Sequence, residues 1–340
     1  MIYRILAVVV LTVATLATWQ WVQYESFKTT PLELPAEGLL FDLKPGTSMK
    51  RVAYGLEQKG VISNALYFRS MARLSGQAAK IQAGEFLIPS QITPEKLLAL
   101  FVSGKVRQYS LTLVEGWTFR EMMKVVSEHG SLTHTLAGLS DKDVMQQLGF
   151  PGQHPEGRFF PDTYHFPKGT TDLAFLKRAY SAMSRYLAHE WERREKNLPY
   201  KSAYEVLIMA SIIERESGLA EERPKIAGVF VRRLQKRMRL QTDPTVIYGM
   251  GERYDGNIRR RDLREETPYN TYVIKGLPPT PISMPSAESI KAALHPAKGD
   301  ALYFVATGDA DGSSQFSATL EQHNRAVRDY LRTMKKRHNK

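Results

Sequence analysis

The longest apolar run stands at the start of the chain: from Ile5 to Val22, ILAVVVLTVATLATWQWV, no residue is charged. About 18 such residues are just enough to cross a bilayer as a helix. Arg4 precedes the run, and Trp19, Trp21 and Tyr24 lie where an aromatic belt meets headgroups. This pattern predicts an uncleaved single-pass anchor, N-terminus in the cytoplasm and body outside. A cleaved signal peptide, using Ala14, Ala17 or Thr18, competes with it, but bulky Trp19 and Trp21 follow at once. A buried N-terminal core helix is the third reading.

Residues 28–37, with Thr29, Thr30, Pro31, Pro35 and Glu37, read as a tether. Beyond it, Leu39 to Leu43 predicts a strand, Pro45-Gly46 a turn, and Val52, Ala53 and Leu56 share one face of a helix. GEFLIP (84–89) predicts a second strand, and Thr93 with Pro94 opens a helix carrying Leu97, Leu98, Leu100 and Phe101. Residues 38–108 therefore read as a small α+β module. Thr118 and Glu121 form a capping box ahead of Met122 and Val126. The remainder, 109–340, reads as mainly helical with a small β element, a hairpin from Ala301–Ala306 and Gln315–Ser317. A Pro-rich stretch from Gly276 to Pro285 precedes the hairpin, and a closing helix from Thr319 to Met334 follows it. The fold class is α+β.

With no cysteine in 340 residues, disulfide scaffolds, thiolate metal sites, cysteine nucleophiles and lipidated cysteine anchors are excluded. The eight histidines show no H-E-x-x-H spacing, and there is no P-loop, dinucleotide-binding or G-x-S-x-G motif, so neither a metal nor a cofactor is implied. A formal charge of +12 calls for an anionic neighbour. The run RRLQKRMR (232–239) reads most simply as the solvated face of a helix whose inner side carries Ile226, Val229, Phe230, Leu234 and Met238. Its functional reading is attraction to acidic polymer or anionic lipid; no nucleic-acid-binding motif is present.

Candidate chemistry sits on AYEVLIMASIIERES (203–217), apolar almost all round between Val206 and Ile213 and so a buried central helix. Met209, Ile212 and Ile213 put Glu216 on the inward face. Burial raises the pKa of such a carboxyl, as a general acid near neutral pH requires. Glu214 is the second candidate, and solvated helix-end charges are the bland alternative.

ASIIERESG is similar to the Glu-Ser signature ending the catalytic helix of lysozyme-like lytic transglycosylases, with Glu216 and Ser217 in the matching places. LQTDPTVIYGMGERY (240–254), TPYNTYVIKGLPPTPISMP (267–285), EGRFFPDTYHF (156–166) and FSATLEQHN (316–324) resemble the endolytic murein transglycosylases, the MltG-like family. That resemblance implies a single-pass inner-membrane protein: tip and anchor at 1–27, linker at 28–37, a LysM-like domain at 38–108, and a lysozyme-like periplasmic catalytic domain at 109–340. It implies Glu216 as acid and then base, cutting between N-acetylmuramic acid and N-acetylglucosamine to leave a 1,6-anhydromuramyl end. Ser217, Gln241, Asp243, Tyr248, Tyr269, Asn270 and Tyr272 are its candidate substrate-binding residues. Were Asp243 within roughly 5 to 9 Å of Glu216, ordinary hydrolysis would become an alternative. The implied partners are peptidoglycan strands, the inner membrane and peptidoglycan synthases. A catalytically silent wall-binding scaffold of the synthesis machinery is the rival function.

Overall fold

The structure, a computed structural model, describes residues 1–216 and 218–338. It is a mixed helix and strand fold that divides into two compact units. One comprises Met1–Tyr109 with His165–Gly169, the other Ser110–Tyr164 with Thr170–Lys340.

In the first unit, α1 (Ile2–Thr29) is long and apolar enough to cross a membrane, and its apolar stretch is not buried within the protein. Its C-terminal end is different. Phe27 is buried, and Tyr24 and Phe27 pack edge-on against Tyr67 at 5.9 and 5.6 Å. Leu32 and Leu34, in the stretch that reads as a tether, pack on the same core, and the Leu32 N–H donates to the Ile92 carbonyl (2.9 Å). Strand β1 (Leu39–Leu43) pairs antiparallel with β2 (Gly84–Ile88), Phe41 facing Phe86. Period-two alternation buries Phe41 and Leu43 and leaves Leu40 and Asp42 outside. Three amphipathic helices complete the unit: α2 (Met49–Gln58), α3 (Ala65–Leu74) and α4 (Pro94–Ser103). Ser48, Asn64 and Thr93 cap their N-termini, each accepting a backbone N–H of the first turn. Leu56, Phe68, Phe86, Leu97 and Phe101 meet in the centre, fully buried. β3 (Gln108–Thr112) follows.

The second unit opens on α5 (Phe119–Glu128), whose Thr118–Glu121 capping box is complete. Next come β4 (Leu132–Thr133), α6 (Asp141–Leu148), β5 (Thr163–Pro167), of which only Thr163 and Tyr164 belong to this unit, and β6 (Thr170–Thr171), parallel to β4. The long α7 (Asp172–Glu192) leads to α8 (Ala203–Glu216), in which every residue from Val206 to Ile213 is buried. Around α8 pack α7, α9 (Arg223–Gln235), α10 (Asp243–Met250) and α11 (Ala287–Leu294). The antiparallel hairpin β7 (Tyr303–Ala306) and β8 (Ser314–Ser317) and the closing α12 (Leu320–His338) end the chain.

Ser211, in the middle of this apolar helix, is fully buried because its polar atoms are used. Its hydroxyl donates to the Ile208 carbonyl (2.7 Å) and accepts the Ile282 N–H (2.9 Å). Those bonds fix the Pro-rich stretch against α8. Met284 adds a two-way backbone pairing, donating to the Trp117 carbonyl (2.7 Å) and accepting from Gly116 (2.8 Å).

Candidate active site

Helix α8 ends with two carboxyls, Glu214 and Glu216, separated by roughly 200° around the helix. Glu214 is committed to the scaffold. One of its oxygens accepts Arg223 Nη2 at 3.0 Å, and the other accepts the Ser286 N–H (2.8 Å) and the Ser289 hydroxyl (2.7 Å) at the start of α11. This leaves it no part in chemistry, so the second candidate acid is a structural clamp.

Glu216 points into a cavity of about 550 Å³ lined also by Arg233, Gln241, Asp243, Tyr272, Tyr303 and His323. Burial pushes its carboxyl up to about 7, the Asp243 charge adds to that rise, and the Thr242 hydroxyl and Arg233 act against it. Thr242 occupies the cap position of α10, yet its hydroxyl donates to Glu216 Oε1 instead of capping that helix. The loop before α10 is held in place. Gln241 adopts a left-handed backbone (φ 54°), unusual for a residue other than glycine, and its N–H donates to the Thr271 carbonyl (3.2 Å). The Thr242 N–H donates to the Thr271 hydroxyl (3.0 Å).

The basic run did not prove to be wholly solvated. Arg233 is buried, because it follows Val229 and Phe230 by four and three residues on the inner face of α9. Its guanidinium donates to the carbonyls of Leu302 (2.6 Å) and Leu240 (2.8 Å) and lies 5.0 Å from the Tyr303 ring centre. Arg232 likewise bonds the Ala297 and Ala301 carbonyls, and α9 ends at Gln235, so Met238 lies beyond the helix. His323 stacks on Tyr303 at 5.2 Å, and burial together with Arg233 holds it below the usual histidine pKa.

The sequence-derived candidates separate. Gln241, Asp243 and Tyr272 gather at Glu216, with the Tyr272 hydroxyl donating to Asp243 Oδ1 (2.5 Å). Asn270 is interior: its amide donates to the Asp262 (3.1 Å) and Glu265 (2.7 Å) carbonyls, and its Oδ1 accepts the Tyr272 N–H (3.0 Å). It shapes the loop that delivers Tyr272. Tyr248 and Tyr269 belong to a neighbouring cavity of about 610 Å³, as does a carboxyl that sequence reasoning missed, Glu156. Ser217 lies outside the described residues.

Glu156 is 3% exposed, and burial pushes it, too, up to about 7. Its oxygens accept the Phe119 N–H (2.9 Å) and the Tyr248 hydroxyl (3.0 Å), joining the start of α5 to α10. Glu216, by contrast, is part-exposed and keeps acceptor capacity toward its cavity. Of the residues missed, Arg233 carried a signal in its helical spacing. Glu156, Tyr303 and His323 carried none beyond lying in or beside the motifs of the resemblance.

The YceG-like family model matches residues 41–329. A Bacillus subtilis protein named endolytic murein transglycosylase is 32% identical over 308 residues, covering 85% of this chain and 84% of that protein. A Streptococcus pneumoniae protein of the same name is 26% identical over 84% of this chain and 57% of its own length. A crystal structure of a yceG-like protein from Listeria monocytogenes matches with a TM-score of 0.54 at 30% identity, covering 86% of this chain and 99% of that one.

Proposed function

The chain belongs to the YceG-like family, and on that footing we propose that it is a membrane-anchored lytic transglycosylase cutting peptidoglycan strands internally. The observation that carries the reading is Glu216: a single part-buried carboxyl with a pKa of about 7, opening onto a cavity at the end of a buried helix. The names of the Bacillus and Streptococcus relatives support the same substrate class.

Protonated Glu216 donates to the glycosidic oxygen between N-acetylmuramic acid and N-acetylglucosamine, and the C1–O bond breaks with positive charge developing at C1. The resulting carboxylate then takes the proton of the muramyl C6 hydroxyl, whose oxygen closes on C1 to give the 1,6-anhydro end. One proton leaves and one returns, and no water is consumed. A pKa near 7 suits both halves, being high enough to hold the proton at the start and to make a competent base afterwards. The Thr242 hydroxyl and Arg233 favour the carboxylate stage. Asp243, held by Tyr272, offsets the charge at C1, and Gln241 and Ser217 contact the sugar. Asp243 is already engaged by Tyr272, which favours this role over that of a second acid in hydrolysis.

In this reading α1 spans the inner membrane with the N-terminus cytoplasmic, residues 38–108 form a LysM-like domain, and 109–340 form a lysozyme-like periplasmic catalytic domain serving strands from peptidoglycan synthases. The test is mass spectrometry of soluble products from purified peptidoglycan treated with the protein or with Glu216→Gln. Anhydromuropeptides from the wild type alone are the expected result. Reducing-end products would indicate a hydrolase, and no products from either protein would indicate the wall-binding scaffold.

A further inference from the structure

The cavity beside α10 has no part in the acid–base chemistry, yet it adjoins it along the chain. Arg215 and Pro244 line it, and their neighbours Glu216 and Asp243 line the catalytic cavity. The two cavities, about 610 and 550 Å³, are thus lined by consecutive residues at the end of α8 and at the start of α10. We propose that the cavity walled by Tyr248, Tyr254 and Tyr269 is a second glycan subsite, holding amino-sugar rings of the same strand away from the bond being cut. The proposal rests on the glycan-cutting reading of Glu216.

Two features select an uncharged sugar. Tyr248 and Tyr269 lie 4.8 Å apart between ring centres, and each hydroxyl is spent inside the protein, on Glu156 (3.0 Å) and on Thr280 (2.8 Å). They are therefore fixed aromatic walls, suited to the C–H faces of a pyranose. The buried Glu156 carboxyl acts here as a positioning residue, setting the Tyr248 ring. Around these walls the carboxylates of Glu121, Asp141 and Glu252 outnumber the guanidiniums of Arg120 and Arg215, a balance unfavourable to the carboxylates of a stem peptide. Tyr254, part-exposed at the edge, is the wall that can be removed with least effect on packing.

The experiment uses the full chain in detergent as Glu216→Gln, titrated calorimetrically with peptide-free β-1,4-linked N-acetylglucosamine oligomers of graded length. Affinity should rise with length, and Tyr254→Ala should lose roughly tenfold for the longest oligomer while Tyr254→Phe keeps it. With Glu216 intact, Tyr254→Ala should raise KM for strands far more than it lowers kcat. Unchanged affinity in Tyr254→Ala, or a loss confined to peptide-bearing strands, overturns the subsite. Persistent cleavage by Glu216→Gln would overturn the catalytic assignment instead, and leave a Tyr254-dependent length increment standing.

Discussion

Glu216→Gln removes a carboxyl that the fold holds protonated, so its effect on stability can be worked out before its effect on rate. The group's pKa rises from an ordinary 4.5 to about 7. The folded protein therefore binds more protons than the unfolded chain between those values, and stability falls as pH rises through that window. Each pH unit is worth roughly 1.4 kcal/mol, which gives on the order of 3 kcal/mol at full ionisation, or about 2 once the part facing water is discounted. Gln has no such titration and still accepts the Thr242 hydroxyl. At pH 8 the variant should therefore melt above the wild type by about 4–8 °C, at roughly 2–4 °C per kcal/mol for a domain of this size. By pH 4.5 the gap should have largely closed. Glu156 contributes a second step of the same sign, so Glu216→Gln should flatten the pH dependence by about half. The assay is differential scanning calorimetry of the full chain in detergent from pH 4.5 to 8, beside anhydromuropeptide release, which should fall by about 10² to 10⁴. Identical pH profiles of melting for the two proteins would mean that Glu216 is not protonated near neutrality and cannot serve as the general acid.

Glu156→Gln should retain turnover within about tenfold, because both its oxygens serve the scaffold; a loss matching that of Glu216→Gln in the same product assay would move the acid to Glu156. Thr242→Val removes a hydrogen bond that favours the Glu216 carboxylate, so the alkaline limb of kcat/KM against pH should move upward by about one unit. A limb that stays in place would show that the bond does not act on the titrating group. Glu214→Ala leaves buried Arg223 and the start of α11 without their acceptor, and should cost about 3–5 kcal/mol, read as a large drop in melting temperature at every pH from 5 to 8. A drop of only a degree or two would contradict the clamp.

Local pattern alone determined much of this protein. The uncharged run from Ile5 to Val22, the caps at Thr93 and Thr118, the alternating strand at Leu39–Leu43 and the apolar α8 are all set by interactions a few residues apart, where side-chain spacing and backbone geometry are directly coupled. So was the inward direction of Glu216, which follows Ile212 and Ile213 by four and three residues. Only the tertiary structure decided which groups meet it. Glu214 and Glu216 look alike in sequence, and Arg223 and α11 claim one while the cavity receives the other. Tyr248 and Tyr272, 24 residues apart in two of the resembling segments, face different cavities because α10 and the Asn270 loop turn them away from each other. Arg233 and His323 reach the Glu216 cavity from α9 and α12 across long stretches of chain. Such meetings depend on how whole helices pack, a sum of many small contacts at large sequence separation, and periodicity within one segment holds no record of that sum.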